Sequence, residues 1–192
     1  MTIIKTVPPG EASGVTAAFY AEDIRDLGYV ASHTKVMSLH PEAYKAWNCM
    51  VEAVAGPMDK RRYELVTLAA SLGIGSQHCR LAHGARTLKY FDEATLIRIA
   101  RDYRNAGLTA AEVAMMEFAE KLSRDSASMT EQDSRNLQAL GFSDEDIVEI
   151  TLAAAMRNFF ARAVQALAVD VDSPPALSAG LKQALLDPLT CY

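Results

Sequence analysis

Between Ile147 and Val169 the chain carries a long alanine-rich run, with Met156, Phe159 and Phe160 close together, that is apolar around much of a helical circumference. A helix of this kind cannot rest one stripe on a core and turn the remainder to water, because too much apolar area would stay exposed. It must lie at the centre of the fold or form a subunit interface, and the sequence leaves both open. Arg157, Asn158 and Arg162 interrupt the run. Buried polar groups need partners, which a neighbouring helix or a second subunit could supply.

The other segments are helical as well. Ala17 to Leu27 is amphipathic and ends at Gly28, and Pro41 stands where a helix can begin before Glu42 to Trp47. Asp59 can cap a helix bearing Arg62, Glu64, Leu65, Leu68 and Ala69 that stops near Gly73 and Gly75. Ser76 caps the next, which runs through Leu81, Ala85 and Leu88 toward Tyr90, and Asp92 caps another. Thr109 with Glu112, and Ser143 with Asp146, each put an acceptor at a helix start and an acid three residues on. The pattern predicts helices over 110–124, 130–139 and 144–168, with no convincing strand, so the fold class is all-α. The expected organisation is an extended N-terminal arm over 1–16, one helical domain over 17–172, and a C-terminal tail with a short helix over 173–192, after the break signalled by Pro174-Pro175.

At 192 residues the chain fits one domain with one good core. Its net charge is −5, and its lysines and arginines are scattered among acids instead of forming a stripe, which argues against nucleic acid as a partner. No run approaches the roughly 20 apolar residues that span a membrane. The N-terminus lacks the basic-then-apolar design of a secretory signal, so a cytoplasmic location is expected. Cys49, Cys79 and Cys191 are too few and too dispersed for a disulfide scaffold, and free thiols are expected in a reducing compartment.

The segment Ser76-Gln77-His78-Cys79-Arg80-Leu81-Ala82-His83 is where chemistry concentrates. With Ser76 as N-cap, Cys79 falls in the first turn, where free backbone N–H groups and the positive end of the helix dipole favour a thiolate. His83 follows four residues later on the same helical face, a base beside a nucleophile, and His78 adds a second proton carrier. Glu64 lies on the preceding helix, twelve residues before Ser76. A hairpin at the intervening glycines could fold its carboxylate against the first turn of this helix, as a proton acceptor or as the partner that orients a histidine.

The order Glu64, Ser76, Cys79, His83 resembles the alkylhydroperoxidase D (AhpD-like) and carboxymuconolactone decarboxylase superfamily. Tyr20-Ala21-Glu22-Asp23-Ile24 with Leu27 to Val30, and Phe118 to Leu122 with Gly141 to Glu145, are similar to its peroxidase-related branch, so the likeness covers most of the chain. The resemblance implies an AhpD-like helical fold that assembles as a homo-oligomer. It also implies a peroxidase-like oxidoreductase in which Cys79 attacks a peroxide while Glu64, His83 and His78 relay protons. The resolving cysteine of that family's Cys-x-x-Cys motif is Ser76 here, and a hydroxyl cannot close a disulfide. An oxidised Cys79 would therefore be recycled by an external thiol, or by Cys49 or Cys191.

Each of these residues also has a purely structural reading. Cys79 could be a small buried hydrophobe, His83 a packed ring with one hydrogen bond, and Glu64 a partner of Arg61 or Arg62. His78, in a first turn, could face water, Ser76 could be a cap and nothing more, and His33 and His40 are expected at the surface without a role. No cofactor is expected. Glu64, His78, Cys79 and His83 offer metal donors, but the paired-ligand pattern of a structural zinc site is missing, so a native metal site is not expected. Two rival functions remain: acid–base chemistry on a small organic molecule, as in the decarboxylase members that lack the cysteine pair, and a non-catalytic oligomeric binding module.

Overall fold

Capping signals and helical periodicity set the elements of the computed structural model, which describes residues 2–191, without the side chains of 190 and 191. The α-helices are α1 (Gly14–Leu27), α2 (Ser32–Met37), α3 (Pro41–Ala55), α4 (Lys60–Ile74), α5 (Gln77–Thr87), α6 (Glu93–Asp102), α7 (Ala110–Arg124), α8 (Glu131–Ala139), α9 (Asp144–Ala166) and α10 (Ala179–Leu186). There is no strand among the described residues. Asp59, Ser76, Asp92, Thr109 and Ser143 each accept a backbone N–H at a helix start, and capping boxes form at Thr109/Glu112 and Ser143/Asp146. Thr130 and Asp133 make a third capping box that pattern reading passed over. No helix among the described residues is long and apolar enough to cross a membrane.

The central helix is α4. Every residue from Tyr63 to Leu72 is buried, and α4 packs along α7, α9 and α5. Polar residues survive inside this core because they bond to their own helix: Thr67 donates to Tyr63 and Glu64 carbonyls, and Ser71 to Leu68. The close approach of α4 to α7 depends on Gly73, where an added Cβ would stand 2.5 Å from the Glu120 carbonyl oxygen and 3.3 Å from the Arg124 nitrogen. Gly to Ala inside a helix ordinarily stabilises by up to about 1 kcal/mol. At Gly73 the obstacle is backbone, so G73A is expected to destabilise by about 1–3 kcal/mol in urea unfolding. A stabilised variant would mean that α7 can retreat.

The apolar run is α9, which is buried on one face and leaves apolar residues exposed on another. Ile150, Ala153, Ala154, Phe160, Ala161 and Val164 are buried against α4, α7 and α3. Val148, Leu152 and Phe159 remain exposed on another face. Asn158 and Arg162 bond to Ser123 at the end of α7, while Arg157 turns inward.

The ends of the chain are tied into the domain. Tyr20 donates its hydroxyl to the Val7 carbonyl at 2.9 Å, and Thr2 donates to the Leu167 carbonyl at 2.7 Å, so the N-terminal segment lies on α1 and the end of α9. The C-terminal helix α10 buries Leu181, Ala184 and Leu185 against α6 and α5. Arg80 of α5 secures it: the buried guanidinium donates to the carbonyls of Leu185 at 3.0 Å and Ala100 at 2.6 Å, in the last turns of α10 and α6.

Candidate active site

The site begins with the turn between α4 and α5. Gly75 adopts a left-handed conformation (φ +72°) that ends α4 and turns the chain back at once. The Ser76 N–H then donates to the Ser71 carbonyl at 2.9 Å, and the Ser76 hydroxyl accepts the Cys79 N–H at 3.3 Å. Cys79 is thereby held in the first turn of α5, 1 % exposed, on the wall of a cavity of about 230 Å³.

The same turn lays α4 against α5, and Glu64 meets His83. Their contact, Nδ1 to Oε2, is 2.7 Å between two buried groups. Arg61 and Arg62, the bland partners for Glu64, pair instead with Glu112 and Asp146. Burial and the Arg157 charge, partly opposed by Glu64, push His83 down to about 4 from its ordinary 6.5. Burial raises the affinity of Glu64 for a proton, but His83, Arg86 and Arg157 outweigh it and hold the carboxyl below its ordinary value. Near neutral pH the pair is therefore a carboxylate accepting a hydrogen bond from a neutral imidazole Nδ1–H. The other ring nitrogen, Nε2, is left for a thiol or a substrate.

Arg157 of α9 is the residue whose place the sequence left undecided. It is 5 % exposed, its guanidinium donates to the Tyr63 hydroxyl at 3.2 Å, and it shares the cavity wall with Cys79. Burial disfavours its charge, yet Cys79 and Tyr63 more than compensate and keep it cationic. A buried cation attracts negative charge that develops on a nearby nucleophile during reaction, and that attraction is weakly screened because water is scarce there. R157M is expected to slow alkylation of Cys79 at pH 7 by about tenfold or more, with R157K retaining part of the rate. Equal rates in all three proteins would remove Arg157 from the site.

His78 does not face water. It is buried, and its Nε2 stands 3.0 Å from Nδ1 of His33. The expectation of a surface His33 is therefore corrected: α2 points the ring inward, edge-on to Phe160, while His40 is exposed as expected. Burial, then His78, Arg86 and Arg157, push His33 down to about 3, and burial lowers His78 as well. Of the proposed resolving thiols, Cys49 is exposed on α3, and the Cys191 side chain lies outside the described residues. Phe19, Tyr44, Trp47 and Phe160 line the rest of the cavity, and Trp47 stacks on Phe160 at 5.1 Å. The four aromatic walls come from three helices, so no local motif marked them.

A scan against protein-family models and a search of curated proteins gave no match. Solved structures do match. An uncharacterised peroxidase-related protein of Ralstonia eutropha JMP134 with an alkylhydroperoxidase AhpD core superposes with a TM-score of 0.79 at 21 % identity, over 89 % of this chain and 92 % of that one. A peroxidase-related protein of Silicibacter sp. TM1040 gives 0.74 at 25 % identity over the same shares, 89 % and 92 %. The debrominase Bmp8, solved as a cysteine-to-alanine variant with 2,3,4-tribromopyrrole, gives 0.76 at 15 % identity over 98 % of each chain. The helical framework that carries Cys79, His83 and Glu64 in this chain is therefore the AhpD-like fold.

Proposed function

We propose that the protein is a thiol-dependent, peroxidase-like oxidoreductase with Cys79 as its only motif cysteine. The observation that carries this reading is the setting of Cys79: a first-turn thiol on a cavity wall shared with the buried Arg157, on the same helix as His83, whose ring is held by Glu64 of α4. The Cys79 thiolate attacks the distal oxygen of a hydroperoxide, the O–O bond breaks, and the alkoxide takes a proton and leaves as alcohol. Sulfenic acid remains on Cys79. An external thiol condenses with it, releasing water and forming a mixed disulfide, and a second thiol attacks that bond, returning Cys79 and a disulfide product. Ser76 stands where the resolving cysteine would be, so the thiol that condenses with the sulfenic acid comes from outside this motif. His83 Nε2 accepts the thiol proton and hands it to the leaving oxygen. Because His83 is held near 4, the imidazolium is passed through and not stored.

The aromatic cavity supports a second reading, reductive removal of halide from a small halogenated ring. The likeness of the chain to a debrominase over its whole length accords with it. There, two thiols become a disulfide while a carbon–halogen bond is replaced by carbon–hydrogen and halide departs. Mass spectrometry of Cys79 after limited peroxide, beside halide release from a bromopyrrole with excess thiol, separates the readings. Sulfenate or a mixed disulfide on Cys79 is expected with peroxide. Halide release without peroxide turnover would replace the first reading by the second.

The exposed residues Val148, Leu152 and Phe159, on one side of α9, are proposed as a contact between copies of the chain. The expected result is an oligomer by light scattering that L152E/F159K converts to a smaller species.

A further inference from the structure

Three donor groups converge from parts of the chain far apart in sequence: His33 on α2, His78 in the first turn of α5, and Asp172 in the segment after α9. His33 Nδ1 and His78 Nε2 are 3.0 Å apart. One ligand nitrogen from each ring and one carboxylate oxygen of Asp172 all lie within 4.8 Å of one another. Two imidazole nitrogens bound to a common zinc at about 2.0–2.1 Å would themselves be roughly 3 Å apart. A hydrogen bond between two neutral rings would account for that spacing, but not for a carboxylate beside it.

The carboxylate is fixed in place. Asp172 accepts the Ser32 N–H at 2.8 Å on one oxygen and the Ser32 hydroxyl at 2.7 Å on the other, and each oxygen keeps a further lone pair. Such outer hydrogen bonds are what hold metal-ligating carboxylates in orientation. The His33 ring is set by its edge contact with Phe160, 5.2 Å between centroids. His78 Nδ1 is buried without a hydrogen-bond partner. Both rings line the 230 Å³ cavity and a second, larger one of about 720 Å³, which Asp172 also lines. Glu22, Asp23 and Asp26 line the first cavity beside Arg86 and Arg157, and the second carries Asp26 and Asp172 beside Arg25, Arg86 and Lys89.

We infer that His33, His78 and Asp172 form a binding site for a divalent transition metal of the zinc or ferrous class, with open coordination positions facing the two cavities. Two neutral imidazoles and one carboxylate are a donor set for these ions, and three protein ligands with open positions are the arrangement of sites that admit water or substrate. Cys79 is not a ligand, so the inference stands apart from the peroxidase reading.

The test uses the full chain, stripped with chelator, titrated with Zn²⁺ against a chromophoric chelator and with Co²⁺ followed by its visible absorption. One equivalent of Zn²⁺ is expected to bind with Kd below about 1 µM. H33N, H78N and D172N should each weaken it by more than about tenfold. C79S should bind as the parent does, and the Co²⁺ complex should show no thiolate charge-transfer band. Thermal melts in chelator establish that each variant is folded, and Zn²⁺ should raise the melting temperature of the parent and not of H33N. Absence of stoichiometric binding by the parent, or parental affinity in H33N, overturns the site. Loss of binding in C79S, with a charge-transfer band in the parent, would assign the metal to the thiolate instead.

Discussion

Replacing Cys79 with serine is expected to reduce thiol-dependent peroxide turnover by roughly a thousandfold or more while leaving the fold intact. The exchange of sulfur for oxygen keeps the volume nearly constant, and a serine at this first-turn position can still donate its N–H to Ser76, so stability should barely change. What is lost is the nucleophile. A serine hydroxyl is not ionised by one guanidinium, and it cannot carry the oxidation from peroxide to thiol. The measurement is a coupled peroxide assay on both proteins, with circular dichroism as the control for folding. Turnover surviving in C79S would favour acid–base chemistry by His83 and Glu64, the reading in which sulfur is a bystander.

The second large effect concerns the Glu64–His83 pair. E64Q and H83Q are each expected to lower turnover by about 10²-fold, and the double variant scarcely further, because one group orients and the other moves the proton. Additive losses would mean that the two act separately. The pair also makes a prediction about acid stability. In the folded protein His83 titrates near 4, below its ordinary 6.5, so folding favours the neutral ring. Its contribution is complete above 6.5 and is lost as pH falls toward 4, because the unfolded chain takes up a proton that the folded one refuses. The slope is about 1.4 kcal/mol per pH unit, or roughly 3 kcal/mol across the interval. Glu64, also held low, adds a loss of the same sign in stronger acid. Urea midpoints at pH 7.5, 6 and 5 should therefore converge for the parent and H83Q as the medium is acidified. Parallel curves would show that His83 does not titrate in this way.

The legible part of this protein is its local part. Helix starts at Asp59, Ser76, Asp92, Thr109 and Ser143 could be read because a cap and its N–H partner lie within three residues. Cys79 and His83 could be read as a pair because four residues make slightly more than one helical turn. Glu64 was one step harder, needing the turn at Gly75 to bring α4 back on α5. That turn was visible as glycine, but Glu64 meets His83 in the second turn and not the first turn where its carboxylate was expected to fold. His33 was misplaced because its six-residue helix has too few positions to reveal a buried face, and Asp172 lies in a segment with no periodicity at all.

The sequence by itself determined which segments are helices, where they begin, and which thiol stands in a first turn, since neighbours along one chain settle these matters through hydrogen bonds within a single turn. Tertiary structure alone decided that α4 and not α9 is the central helix, that Arg157 turns inward to the cavity wall it shares with Cys79, and that His33, His78 and Asp172 meet. Those outcomes follow from the close packing of whole helices, in which small residues such as Gly73 permit an approach and a buried charge goes wherever a partner is found. No single stretch of sequence contains both sides of such a contact.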